Sequence, residues 1–220
     1  MKKWSNRATL FAGFTLAIGG GLSALYYVHS WWSMRNIVAP EDTVGLPAVK
    51  VELGTDGKTV KFTELPESGT EFARIHIDKL DVQLPITEGP HISGMSLAAK
   101  NKAEDAPLAK GAMHDKGYPW PGEIGNSILS GHNNVSLKGF KNLKNIQKGD
   151  KIKIVYSGFT FIYTVTKDGW FVDKNDTSVK SFKTVEPILR LVTCYPFDTR
   201  GEAPQRYIVE AKLTERIKNN

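Results

Sequence analysis

Apolar and polar residues alternate in short bursts along most of this chain, with turn residues between the bursts. That is the pattern of β-strands with one face against a core. Residues 72–78 set Phe72, Arg74, His76 and Asp78 on one face and Ala73, Ile75 and Ile77 on the other. A turn at Lys79-Leu-Asp leads to a second strand over residues 82–86. Residues 126–130 form a short apolar strand, ended by Gly131-His132-Asn133-Asn134. Residues 151–156 and 160–166 pair as a hairpin around Ser157-Gly158. Residues 170–172 begin another strand, and residues 188–194 are a β-branched, largely apolar run that reads as a buried one. The last strand, residues 205–213, sets Tyr207, Val209, Ala211 and Leu213 against Arg206, Ile208 and Glu210. Helical period is scarce: a turn or two over residues 94–101, and a short pattern at Phe140, Leu143 and Ile146. Residues 111–125 are rich in Gly and Pro and read as a structured loop. Many short strands with almost no long helix predict an all-β barrel or sandwich.

The beginning of the chain follows a different rule. Residues 8–28 are 21 residues without a charge, and a spanning helix needs about 20. Tyr26, Tyr27, Trp31 and Trp32 suit a membrane–water interface. Lys2, Lys3 and Arg7 place the N-terminus in the cytoplasm, so the rest faces outward from the plasma (inner) membrane. A cleaved signal peptide fits less well, because the run is long and no small-x-small site follows it. The expected organisation is a cytoplasmic tip and anchor over 1–32, a linker over 33–71, a globular domain over 72–213 and a polar tail over 214–220. Within the linker, residues 48–53 and 59–63 make a small hairpin around Thr55-Asp56-Gly57-Lys58.

Charge then removes one class of function. The chain carries +6 and a pI near 9.2, which on its own suggests a nucleic-acid partner. Lys2, Lys3, Arg7 and Arg35 supply four of those charges with no acid among the first 35 residues, so the other 185 carry only +2. The basic balance reflects topology, and no nucleic acid is expected.

Cys194 is the one cysteine, so no internal disulfide is possible. It closes the run Leu191-Val192-Thr193-Cys194, where a strand gives way to Tyr195-Pro196-Phe197. A thiol there has its position fixed by the strand and room for a substrate beside the loop. The alternative is a small buried hydrophobe, since reactivity needs a base or a positive charge next to the thiol. Five histidines are candidates for that base. His29 lies at the membrane edge, His76 reads as solvated beside Arg74 and Asp78, His91 follows a Gly-Pro turn and His114 sits in the Gly/Pro loop. His132 alone leaves a buried strand at a Gly-marked exit, as Cys194 does; the alternative is a turn histidine. Arg206, on the next strand after Cys194, could hold a thiolate or an oxyanion. The alternative is a surface ion pair with Glu202 or Glu210. No His or Cys spacing matches a metal site.

In this order, Gly131-His132, Leu191-Val-Thr-Cys194 and Arg206 resemble the sortases, membrane-anchored cysteine transpeptidases of bacterial cell surfaces. Ala73 through Gly89 is similar to the paired opening strands of their barrel. Leu108-Ala-Lys-Gly-Ala-Met-His114 and Pro121-Gly122-Glu123-Ile-Gly125-Asn126 resemble the approach to their histidine. Phe140-Lys-Asn-Leu143 and Lys148-Gly-Asp150 resemble the helical turn and strand that follow. Thr193-Cys194-Tyr-Pro-Phe197 and the single anchor are most similar to class D and proteobacterial-type members, while Asn133 stands where many relatives have Arg.

The resemblance implies an eight-stranded closed barrel with short helices over residues 72–213. It implies that Cys194 attacks the carbonyl of an LPxTG-like sorting motif to give a thioacyl enzyme. His132 serves as general acid and then base, and Arg206 stabilises the oxyanion or positions the substrate. Thr193, Ser130 and the loop over residues 168–185 contribute to substrate binding. The implied partners are surface proteins with an LPxTG-like C-terminal signal and an amine acceptor, a cell-wall peptide or protein, with water as the default. No cofactor is implied, and Ca²⁺ dependence stays open. Two other readings are a non-enzymatic anchored β-barrel binding protein and a different cysteine transferase such as an L,D-transpeptidase. The chain also contains Leu65-Pro66-Glu67-Ser68-Gly69, a sorting-like string that could fill its own groove, and a second such string at Leu84-Pro-Ile-Thr87.

Overall fold

The computed structural model describes residues 42–64, 66–92, 94–133, 139–197 and 202–219. The expected spanning segment, residues 8–28, and Leu65 lie outside them. Among the described residues no helix is long and apolar enough to cross a membrane.

The chain builds eleven strands among the described residues. β1 (Val51–Leu53) and β2 (Val60–Phe62) form the small hairpin. β3 (Glu71–Ile77), β4 (Val82–Glu88), β5 (Ala112–His114), β6 (Gly125–Gly131), β7 (Lys151–Val155), β8 (Phe159–Val165), β10 (Pro187–Tyr195) and β11 (Gln205–Lys218) make the main sheet. Their order is β10-β6-β5-β4-β3-β7-β8-β11, and β11 pairs back onto β10, so these eight strands close into a barrel. Closure leaves none of the eight with a free edge along its whole length. β9 (Trp170–Asp173) pairs with the first four residues of β11 and is not part of the ring. Inward side chains such as Ile75, Ile77, Ile86, Leu129, Ile154 and Phe161 are fully buried in one core.

Four expectations are corrected. The first concerns β3. Phe72, expected beside Arg74 and His76, is fully buried in the core. A register shift between Glu71 and Ala73 inserts a residue and turns Phe72 inward. His76 is 4% exposed rather than solvated. Arg74 donates to Val44 O across this outer face, and Asp42 stands 3.9 Å from His76 Nε2. Burial lowers the His76 pKa despite the pull of Asp42.

The second correction is a helix, α1 (Leu97–Lys110), where only a turn or two was expected. Its sequence, LAAKNKAEDAPLAK, is rich in helix formers but has no apolar stripe, so periodicity does not reveal it. Ser96 caps it, accepting from Ala99 N at 3.3 Å. Gly111 ends it, where a Cβ would lie 2.7 Å from Pro85 O.

Third, β5 arises inside the expected Gly/Pro loop, parallel to β4 and antiparallel to β6. Three residues are too few to show a period of two. Fourth, residues 214–218, expected as tail, continue β11 past a bulge between Leu213 and Glu215 and pair with β8. Their side chains are mostly in water, which is why they read as polar. In the expected linker, Val60 and Phe62 of β2 join the core, with the Phe62 ring 5.1 Å from Trp120 and 5.3 Å from Tyr156.

Candidate active site

The register of three neighbouring strands builds the site. β6 and β10 run parallel with Gly131 level with Thr193, so the chain leaves β6 at His132, beside Cys194. β11 runs antiparallel on the other side of β10 and sets Arg206 directly opposite Cys194. Opposed residues share a sheet face, with Cβ atoms about 5 Å apart. Alternation then fixes which face. Leu189, Leu191 and Thr193 point into the barrel with Tyr207, Val209 and Ala211. Arg190, Val192 and Cys194 point outward with Arg206, Ile208 and Glu210.

A cavity of about 420 Å³ lies on that outer face, with Cys194, His132 and Arg206 in its wall. Val192 and Ile208 give it an apolar side, as do Val172 and Val179 of the segment above it. Cys194 is half-buried and its thiol is free. Gly131 admits the turn to His132: a Cβ there would come within 2.7 Å of the Phe140 ring. His132 O accepts from Phe140 N at 2.6 Å, which fixes the exit.

Asn133 is the residue that sequence reasoning missed. It is 3% exposed, and its Nδ2 donates to Cys194 O at 2.8 Å and Pro196 O at 2.9 Å. One amide thus ties the strand exit that carries the histidine to the exit that carries the thiol. The available signals were its place next to His132 and its standing where many relatives have Arg.

Arg206 Nη1 donates to Ala203 O at 3.0 Å and Gln205 O at 2.9 Å, which sets the plane of its guanidinium. The surface ion pairs weighed for it do not form. Glu202 pairs with Lys174, and Glu210 pairs with Arg190. The two weaker assignments fare differently from the main three. Thr193 lines the cavity but is 2% exposed, and its Oγ1 donates to Gly131 O at 2.7 Å, tying β10 to β6. Ser130 also lines it and donates to Asp115 Oδ1 at 2.7 Å.

Asp115 belongs to the mechanism that holds the roof. The roof is the segment that carries β9 and a short helix, α2 (Ser178–Ser181). Lys180 reaches across to Asp115 Oδ2 at 2.6 Å. Burial alone would lower the Lys180 pKa, but the Asp115 carboxylate more than offsets it and raises it. Val179 O accepts from Asn126 Nδ2 and from Arg190 Nη1, both at 2.9 Å.

The other described histidines take no part. His114 is fully buried inside the barrel, 2.8 Å from Glu88 Oε2, and His76 lies under residues 42–46. The described part of the sorting-like string, residues 66–69, does not line the groove. Ser68 donates to Gly89 O at 2.6 Å, Gly69 N donates to Glu88 O at 2.8 Å, and Lys110 binds Gly69 O. Among the described residues no group of three His, Cys, Asp or Glu side chains could hold a metal ion.

With this geometry in hand, the comparisons with known proteins agree on one family. The sortase domain model matches residues 75–214. Sortase D of Bacillus subtilis is 35% identical over 158 residues, 72% of this chain and 71% of that protein. Sortase SrtE1 of Streptomyces coelicolor is 31% identical over 160 residues, 68% of this chain but only 42% of that protein. Among solved structures, the catalytic domain of B. anthracis SrtD is similar at 32% identity with a TM-score of 0.53, covering 70% of this chain and 93% of that one.

Proposed function

Because this chain belongs to the sortase family of cysteine transpeptidases, we propose that Cys194, His132 and Arg206 carry out its acyl transfer on an LPxTG-like sorting motif. Family membership sets aside the readings as a binding protein or an L,D-transpeptidase. The observation that carries the assignment is the register: Cys194 stands between His132, at the exit of β6, and Arg206 on β11, and all three line one groove.

The chemistry follows from that placement. Cys194, its proton passed to His132, attacks as the thiolate the carbonyl of the motif's fourth residue, and Arg206 donates to the oxygen as it takes up negative charge. His132 delivers a proton to the departing amine, and a thioester remains on Cys194. An incoming amine loses a proton to His132, attacks the thioester and releases Cys194. The acceptor is an amine of a cell-wall peptide or a surface protein, with water as the slower substitute. Residues 8–28 anchor the enzyme, with this domain on the extracytoplasmic side. No metal is needed to hold the roof in this reading, since the Lys180 ammonium already bridges it to Asp115.

Mass spectrometry of the full-length chain with LPxTG and LPxTA peptides tests the proposal. The expected result is an added acyl mass on Cys194, equal with and without a chelator, that hydroxylamine removes. No adduct with any such peptide would exclude the assignment.

Asn133 supplies a second test. Replacing it with Ala frees both carbonyls it binds, so the two exits lose their tie. Misplacement of a reacting group by an ångström can cost about a hundredfold. Asn133→Ala is therefore expected to lower kcat by roughly 10- to 100-fold with KM changed far less, and Asn133→Asp, which cannot donate, does no better. An unchanged kcat in steady-state transpeptidation would remove the positioning role.

A further inference from the structure

The groove does not stop at the roof anchor. A second cavity, of about 240 Å³, shares Lys100, Glu104, Met113, Asp115 and Lys180 with the first. Beyond them it is walled by the turn after β4, at Pro90 and Ile92, and by Lys116 and Tyr118. The two cavities thus meet along one line of residues, at the Lys180–Asp115 bridge.

The reaction fixes which part of a substrate reaches this far. The thioacyl enzyme keeps the residues N-terminal to the cut, and the incoming amine needs the space at Cys194 itself. The retained peptide must therefore run away from Cys194, along the first cavity toward α1. A motif held in that cavity brings what precedes it to the bridge. Lys180 is 39% exposed, which lets an extended chain pass over it.

Charge decides what the second cavity favours. Asp115 is satisfied by Lys180 and Ser130, so that pair is neutral. The Lys100 and Lys116 side chains make no ion pair with any described residue, and the Glu104 side chain makes neither an ion pair nor a hydrogen bond among them. Burial raises the Glu104 pKa, ahead of the opposing pull of Lys100. Two free ammonium groups thus face one poorly solvated carboxylate.

Resting on the transpeptidase reading above, we propose that this second cavity is a substrate subsite for the residues immediately before the sorting motif, with a preference for acidic side chains there.

Three peptides test it, carrying Asp-Asp, Gly-Gly or Lys-Lys directly before the same Leu-Pro-x-Thr-Gly sequence, on the full-length enzyme. The acidic peptide is expected to have a KM roughly three- to tenfold below the neutral one, the size of one or two solvent-accessible ion pairs, and the basic peptide a higher KM. kcat should stay level, and the difference should shrink at high salt. The double variant Lys100→Ala/Lys116→Ala should lose the acidic advantage, and Lys116→Glu should reverse it. Equal KM values for all three peptides on the wild type would overturn the subsite while leaving the transpeptidase reading intact. So would an acidic advantage that survives in the double variant. Failure of every peptide to acylate Cys194 would overturn both.

Discussion

Cys194→Ala is expected to abolish acyl transfer completely, and Arg206→Ala to leave a residue of it, lower in kcat by roughly 100- to 1000-fold. The first result follows because the described chain offers no other thiol and alanine cannot form the thioester. The second reflects the loss of one preorganised donor at a developing oxyanion, whose removal costs about that much in enzymes that work this way. Arg206→Lys should recover little. A lysine is a point charge without the planar fork, and the two carbonyls that orient Arg206, Ala203 O and Gln205 O, set the plane of a guanidinium. His132→Ala belongs between these limits, since general acid–base catalysis contributes about 10²- to 10⁴-fold. Thermal unfolding separates chemistry from folding here. Cys194 is half-buried and its thiol is free, while its backbone contacts survive substitution, so Cys194→Ala should melt with the wild type. If Arg206→Ala keeps full kcat, the oxyanion role is wrong, and Arg206 merely pins the loop through Ala203.

The three residues in that series are visible in the sequence because each needs only local signals. Cys194 and His132 end apolar runs, and alternation along residues 205–213 puts Arg206 on the face away from Tyr207. Their roles came from family likeness, not from spacing. What holds them in place was not legible. Asn133 binds carbonyls 61 and 63 residues away, and Lys180 meets Asp115 over a gap of 65. Nothing in a local window marks such pairs. The same limit left barrel and sandwich undecided on the apolar pattern alone, and it was the family resemblance that implied the closed eight-stranded barrel. Closure rests on the parallel β6–β10 contact and on β11 pairing back onto β8, and both are pairings between distant strands that leave no period in the sequence. At the local level, the failures came where burial and period part company. α1 is a helix with almost no buried side, and His76 is a polar residue covered by a distant segment, residues 42–46.

Arg190→Ala should destabilise the domain by about 3 kcal/mol, because it takes the two-fold guanidinium contact from a mostly buried carboxylate and leaves Glu210 with only Lys167 at 3.8 Å and the Thr166 hydroxyl. The Arg190 and Glu210 side chains are 7% and 15% exposed, and Arg190 Nε and Nη2 both bind Glu210 Oε2, at 3.0 and 2.6 Å. For a domain of this size that loss lowers Tm by about 10 °C. The guanidinium has a second task. Its Nη1 binds Val179 O in the roof, and it lies 4.1 Å from the centre of the Phe182 ring. Substitution therefore leaves Val179 O with only the Asn126 amide. The roof lines the groove, so KM should rise several-fold even where the protein stays folded. A double variant, Arg190→Met with Glu210→Leu, tells the two effects apart. Removing both charges restores most of the stability, because no unpaired charge stays buried. It does not restore the bond to Val179 O, so KM should stay high while Tm recovers. If KM recovers together with Tm, Arg190 serves the barrel alone, and the roof is held by Lys180 and Asn126.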